Sequence, residues 1–246
     1  MSTLANPLTK VDPPTKVDPR RLSERELHEY VAEVEGHESQ VTGVVGYFYR
    51  MYRAEVLARL GGVKNREILE IGCGEGMMFD GTAIAPVQMD VSMRRVVRAK
   101  AKGRAALCAD GYALPFANAS FSVVLLVAVL EHTTQPWRIL AEARRVLKPG
   151  GRTIMVVPND VTMSAGRFLL RKFPIRYPDH LIMTTPRRMR RWLEDGFRIV
   201  EGFTLPFRRL PFSVNLYYFV VAEKIAAEKI AAGKIAAGKT TAGEGR

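Results

Sequence analysis

The chain has 246 residues, 47% of them apolar, which is enough for one sizeable core and makes two domains a stretch. Its 37 basic and 25 acidic side chains leave a formal charge of +12, which admits anionic partners without selecting one. Two cysteines rule out a disulfide framework, and the longest apolar run, Val123 to Leu130, falls far short of the roughly 18 residues of a membrane span.

In chain order, the first 20 residues repeat Thr-Lys-Val-Asp-Pro at 9–13 and 15–19, where proline forbids regular ladders, so this segment reads as disordered. Without a charged-then-apolar leader, the protein is expected to be soluble and cytoplasmic. Helical patterns follow at 21–35 and 38–60, the second carrying Tyr47, Phe48, Tyr49 and Tyr52. Strand and helix then alternate: strands 67–71 and 87–91, helix 92–102, strands 105–109 and 123–129, helix 136–147, strand 152–157. Pro136 suits a first helical turn, and Lys148-Pro149-Gly150-Gly151 ends that helix with a cation and breakers. A helix at 186–194 and strands at 197–205 and 214–222 complete a single domain over 21–222. From 223 to 246 a five-residue Lys/Ile/Ala repeat matches neither helix nor strand periodicity and reads as a low-complexity tail. The alternation predicts a parallel sheet with helices on both faces.

The densest signal is E-I-L-E-I-G-C-G-E-G at 67–76, an apolar strand that ends in Glu70 and runs into Gly72, Gly74 and Gly76. Such a turn lets the backbone approach a ligand closely. Met77 stands where a dinucleotide fingerprint needs glycine, and no lysine follows as a P-loop requires. The next strand closes on Asp90, a carboxylate able to accept two hydrogen bonds at once. The third closes on Asp110-Gly111, and Leu130-Glu131-His132 follows the fourth. Neither Cys73 nor Cys108 sits in a cluster with histidine, so no zinc site is expected.

In this succession, with Glu142 to Gly151 behind it, the chain resembles the class I S-adenosylmethionine (SAM) methyltransferases, and within them the type 11 family, over roughly residues 66–160. Two features depart from the family pattern: Ser122 replaces the usual Asp, and the crossover from Gly76 to Asp90, with Gly81 and Pro86 inside it, has room for only a turn or two of helix.

The resemblance implies a Rossmann-like, doubly wound, seven-stranded sheet, mostly parallel, with an antiparallel last strand. It implies S-adenosyl-L-methionine as cofactor, held by Glu70, Gly72, Cys73, Gly74, Gly76, Asp90, Val91, Asp110, Gly111 and Val127. Asp90 would accept from the ribose hydroxyls and Asp110 from the adenine amino group. Methyl transfer from a sulfonium is an in-line displacement, so the protein mainly aligns donor and acceptor and excludes water. A base is needed only if the acceptor loses a proton. His132 is the first candidate, because imidazole titrates near neutrality, with a loop-orienting role beside Glu131 as the alternative. His180 is the second, on an inserted segment at 159–184 whose Phe168, Leu169, Leu170, Phe173, Ile175 and Leu181 suggest a lid over a small or lipid-like acceptor.

Arg94, Arg95, Arg98, Lys100, Lys102 and Arg104 mark one basic face, and Arg187, Arg188, Arg190 and Arg191 another. Such faces are compatible with peripheral contact with an anionic membrane. Leu130-Glu131-His132-Thr133 lacks the signature of enzymes that methylate base amino groups, which disfavours nucleic acid. Two other readings stay open, a non-catalytic SAM-binding regulator or assembly protein and, behind it, an RNA methyltransferase. The oligomeric state is open.

Overall fold

The computed structural model describes residues 21–34, 43–169, 171, 177 and 179–226. The expected disordered segment 1–20, all of the tail beyond 226, and Leu170, Phe173 and Ile175 lie outside the described residues.

Helices α1 (Glu24–Val34) and α2 (Gly43–Ala58) precede β1 (Ile68–Ile71), β2 (Val87–Asp90), α3 (Met93–Ala101), β3 (Ala106–Cys108) and β4 (Phe121–Val127). The chain continues through α4 (Pro136–Val146), β5 (Leu147–Pro158), α5 (Asp160–Leu169), α6 (Pro186–Leu193), β6 (Phe197–Leu205) and β7 (Tyr217–Lys224). The seven strands form one sheet in the order β3-β2-β1-β4-β5-β7-β6. The first five pair in parallel and β7 runs antiparallel between β5 and β6, the arrangement the resemblance implies.

Strands covered on both faces need apolar side chains at successive positions, and β1 is buried throughout. Alternate residues divide between two cores. Leu69, Val124, Leu126 and Met155 pack with Ile139, Leu140 and Ala143 of α4 and Met189 of α6. Ile68, Val123, Leu125, Ile154 and Phe219 pack on the other face with Tyr52 and Val56 of α2. Tyr52 is thus core.

Boundaries move where backbone pairing overrides local signals. The crossover from Gly76 to Asp90 keeps a single 3-10 turn, Met77–Phe79. β5 begins at Leu147, the last residue of the expected helix, and runs through the expected breaker: Leu147 pairs with Phe121 and Arg152 with Val123, and the intervening irregularity absorbs Lys148 to Gly151. β7 starts at Tyr217 because Phe212–Val214 form a 3-10 turn. Asn215 fixes that turn, donating from Nδ2 to the carbonyls of Phe207 (3.1 Å), Leu210 (3.0 Å) and Pro211 (3.0 Å). At its far end β7 takes in Glu223 and Lys224, which the sequence assigns to the tail.

The first basic face is largely paired. Arg94 lies 3.6 Å from Glu33, Arg98 and Lys102 both reach Glu75 (3.2 and 3.0 Å), and Arg104 pairs with Asp80. The arginines of α6 are exposed. No helix among the described residues is long and apolar enough to cross a membrane.

Candidate active site

In open α/β sheets ligands lie beyond the carboxyl ends of the strands, where the strand order reverses. Here that point falls between β1 and β4, and Gly72 and Ala128 leave those two strands side by side. Both adopt left-handed backbone, φ +71° and +52°. A Cβ on Gly72 would stand 2.6 Å from Val129 Cγ2, so glycine is required there. Ala128 carries the same conformation with the smallest side chain that is not glycine, a strained position of the kind found at functional sites.

On the β2 side lies a cavity of about 470 Å³. Its floor is Ile71, Met89, Cys108 and Ala109, and Asp90, Val91, Asp110 and Gly111 lie along its rim. Asp90 is buried, and each carboxylate oxygen accepts one backbone N–H, from Gly74 (2.8 Å, Oδ2) and from Ser92 (2.9 Å, Oδ1). These bonds orient the carboxylate and leave a further lone pair on each oxygen for a ligand. Asp110 accepts from Tyr112 N at 2.8 Å and is exposed.

On the β4 side a second cavity, about 210 Å³, is lined by Glu70, Cys73, Gly74 and Val127 and walled by Tyr49, Tyr52, Tyr177 and Tyr217. Gly72, Arg95, Ala128 and His132 line both cavities. Gly76 lines neither; its φ of +75° and a Cβ position 2.8 Å from Arg104 Cγ make it a turn residue. Burial pushes the Glu70 carboxyl up to about 7, against the hydrogen bond it accepts from Gln88 Nε2 at 2.6 Å.

His132 and His180 meet in this second cavity, ring centroids 4.8 Å apart. The fold brings them together because Leu181 N and Ile182 N both donate to Glu131 O, at 2.8 and 3.1 Å. His132 Nδ1 stands 3.2 Å from Asp179 Oδ2 and 3.0 Å from Asp179 O, and His180 Nδ1 bonds to Asp160. Burial disfavours the charged form of His132, but the Asp179 hydrogen bond and the charges of Glu131 and Asp179 outweigh it and carry the imidazole up to about 9. The expectation of titration near neutrality is therefore corrected: the free protein holds this proton well past pH 7. Asp179, buried yet bonded to His132, is drawn down to about 2.

Several site residues escape sequence reading. Asp179 differs from other loop acids only through the partner the fold gives it. Glu24 and His28 of α1 close the larger cavity. Glu24 accepts from Tyr112 Oη at 2.8 Å and Thr134 Oγ1 at 2.7 Å, and the His28 ring lies edge-on to His132, centroids 6.1 Å apart. Arg95, expected on a basic face, lines the cleft with a buried Nε that has no partner. In the inserted segment Phe168 and Leu169 are exposed, and Met163 is what α5 turns to the cavity.

Such a cleft, with its glycine turn and acids on successive strand ends, defines the class I methyltransferase fold. A solved protein of Pyrococcus horikoshii shares it, with a TM-score of 0.60 at 18% identity over 80% of this chain and 99% of that one. Residues 69–155 match the family model described as a methyltransferase domain, and the cofactor that such a domain implies is SAM. Among curated relatives, the 27-O-demethylrifamycin SV methyltransferase of Amycolatopsis mediterranei is 32% identical over 40% of this chain and 42% of its own. The demethylmenaquinone methyltransferase of Lactococcus lactis is 27% identical over 58% of this chain and 62% of its own. The chain thus spans about two fifths to three fifths of these relatives' lengths.

The residues present fit that cofactor. The larger cavity has an apolar floor for a nucleoside and acids for its polar edges, Gly72 clears the approach, and the unpartnered Arg95 Nε suits a carboxylate.

Proposed function

We propose that the protein is a SAM-dependent methyltransferase acting on a small or lipid-like acceptor, with the cofactor over β1 to β3 and the acceptor in the tyrosine-walled cavity. The observation that carries this reading is the meeting of the two cavities at Gly72, Arg95, Ala128 and His132. Reacting atoms must approach within a few ångströms in line, and that shared wall is where a donor from one side faces an acceptor from the other.

SAM, when bound, would supply an electrophilic methyl carbon on a sulfonium, with a neutral thioether as leaving group. The chain does the rest. Asp90 and Asp110 hold the nucleoside, the α1 wall with Glu24 and His28 keeps water out, and Tyr49, Tyr52 and Tyr217 position an aromatic or apolar acceptor. His132, oriented by Asp179, takes the proton of a hydroxyl or ring-carbon acceptor, and His180 packs beside it. The named relatives, acting on rifamycin- and menaquinone-type molecules, support an acceptor of this size and polarity. A single domain over 21–222, working in the cytoplasm, fits the same reading.

The test is methyl transfer from labelled SAM to a panel of phenols, quinols and amines. Label in at least one acceptor is the expected result. Stoichiometric SAM binding with no transfer to any of them would favour the regulator or assembly reading instead.

A further inference from the structure

Glu131 is 1% exposed, and neither of its carboxylate oxygens has a hydrogen-bond partner. A carboxylate taken out of water and left unpaired costs several kcal/mol, so its surroundings ordinarily supply a cation or a donor. What surrounds it are imidazoles: one ligand atom each from Glu131, His132 and His180 lie within 4.8 Å of one another, and His132 Nε2 is 4.0 Å from Glu131 Oε1. All three residues line the acceptor cavity.

The rings are held as metal-ligating histidines are. His132 turns Nδ1 to Asp179 and His180 turns Nδ1 to Asp160, each a buried carboxylate. In metal sites this outer carboxylate fixes the tautomer and presents Nε2 to the ion. Asp160 opens α5, and Asp179 lies two residues before the point where Leu181 N and Ile182 N dock on the Glu131 carbonyl.

We propose that Glu131, His132 and His180 bind one divalent first-row transition-metal ion, of the Zn²⁺, Co²⁺ or Mn²⁺ kind. Two imidazoles and a carboxylate suit these ions better than Mg²⁺ or Ca²⁺, which prefer all-oxygen sites. Bonds of about 2.0–2.2 Å require the ligand atoms to draw together by roughly 1 Å, within the reach of side-chain rotation. A three-residue set leaves a coordination position open, as catalytic sites do, and here it faces the tyrosine-walled cavity. The occupant of that position is an oxygen of the acceptor, so the site selects acceptors that carry a hydroxyl. With the ion bound, the acceptor hydroxyl would be acidified by direct ligation and would release its proton to solvent. The expectation of no metal rested on the cysteines; His180 reaches this cluster only through the fold.

The proposal goes beyond methyl transfer and is tested apart from it. The full chain, dialysed against a chelator, is titrated with Co²⁺ and followed by its visible absorption and by calorimetry. Saturation at one ion per chain is expected, and Glu131→Gln and His180→Ala should each weaken it at least about tenfold. Their affinity for S-adenosylhomocysteine should change little, which separates loss of the ion from loss of the cofactor site. If the buried Glu131 substitution unfolds the chain, His180→Ala carries the comparison. No saturable binding by the wild type, or binding that the folded variants leave unchanged, would overturn the site without touching the methyltransferase reading.

Discussion

Residues at the junction of the two cavities work through charge pairs that the fold creates. His132 is the clearest case, since Asp179 and Glu131 together hold its proton to about 9. A group with a raised pKa keeps its proton until the pH passes that value, so in chelator-treated protein turnover on a hydroxyl acceptor should climb from pH 7 toward 9. His132→Ala should lower that turnover by about 10²–10⁴, the range for losing a general base, with cofactor affinity little changed. A flat pH profile, or a variant as active as the parent, would remove His132 from the chemistry. The sequence placed Glu70, Gly72, Asp90 and Asp110 because strand ends carry their own signature, an apolar run broken by an acid or a glycine. It could not place Asp179 in the cleft, since that role comes from His132, 47 residues away, nor Arg95, which reads as one of a basic row. Gly76 shows the converse: it fits the motif, yet its backbone serves the turn beside Arg104.

At the scale of elements, α1 works as a wall as much as a helix. Glu24 ties it to Tyr112 and Thr134, while Glu29 accepts from Ser92 Oγ at 2.9 Å and Met93 N at 2.7 Å, at the start of α3. Acidic groups at a helix N-terminus satisfy its free N–H groups and its dipole. Glu24→Ala should loosen this wall at a cost of about 1–2 kcal/mol, read as faster hydrogen exchange in α1 and faster cofactor release. Unchanged exchange in α1 would show that Glu29 alone suffices. Strand and helix identities were legible because two-sided burial writes continuous apolar runs and one-sided burial writes helical stripes. The boundaries of β5 and β7 were not, because Lys148 to Gly151 and Phe212 to Val214 take their shape from pairing with Phe121 and from Asn215. The first basic face likewise dissolved once α1, Glu75 and Asp80 supplied partners.

For the whole molecule, burying acids inside the cleft couples stability to pH. Glu70 has a folded-state value near 7 against an ordinary 4.5, so between these limits the folded chain binds more protons than the unfolded one. Stability of the cofactor-free protein should therefore rise as pH falls from 7 toward 5, and Glu70→Gln should flatten that slope in chemical denaturation. An unaltered slope would mean that other groups, Glu131 among them, set it. The same sheet that imposes this cost places the glycine turn and the strand-end acids at one switch point. Calorimetric titration of S-adenosylhomocysteine into wild type and Asp90→Ala tests that arrangement most directly. One site per chain is expected, weakened by about 1.5–3 kcal/mol in the folded variant, the range for losing a hydrogen bond to a charged group. Equal affinity in the two proteins, or no binding by the wild type, would contradict it.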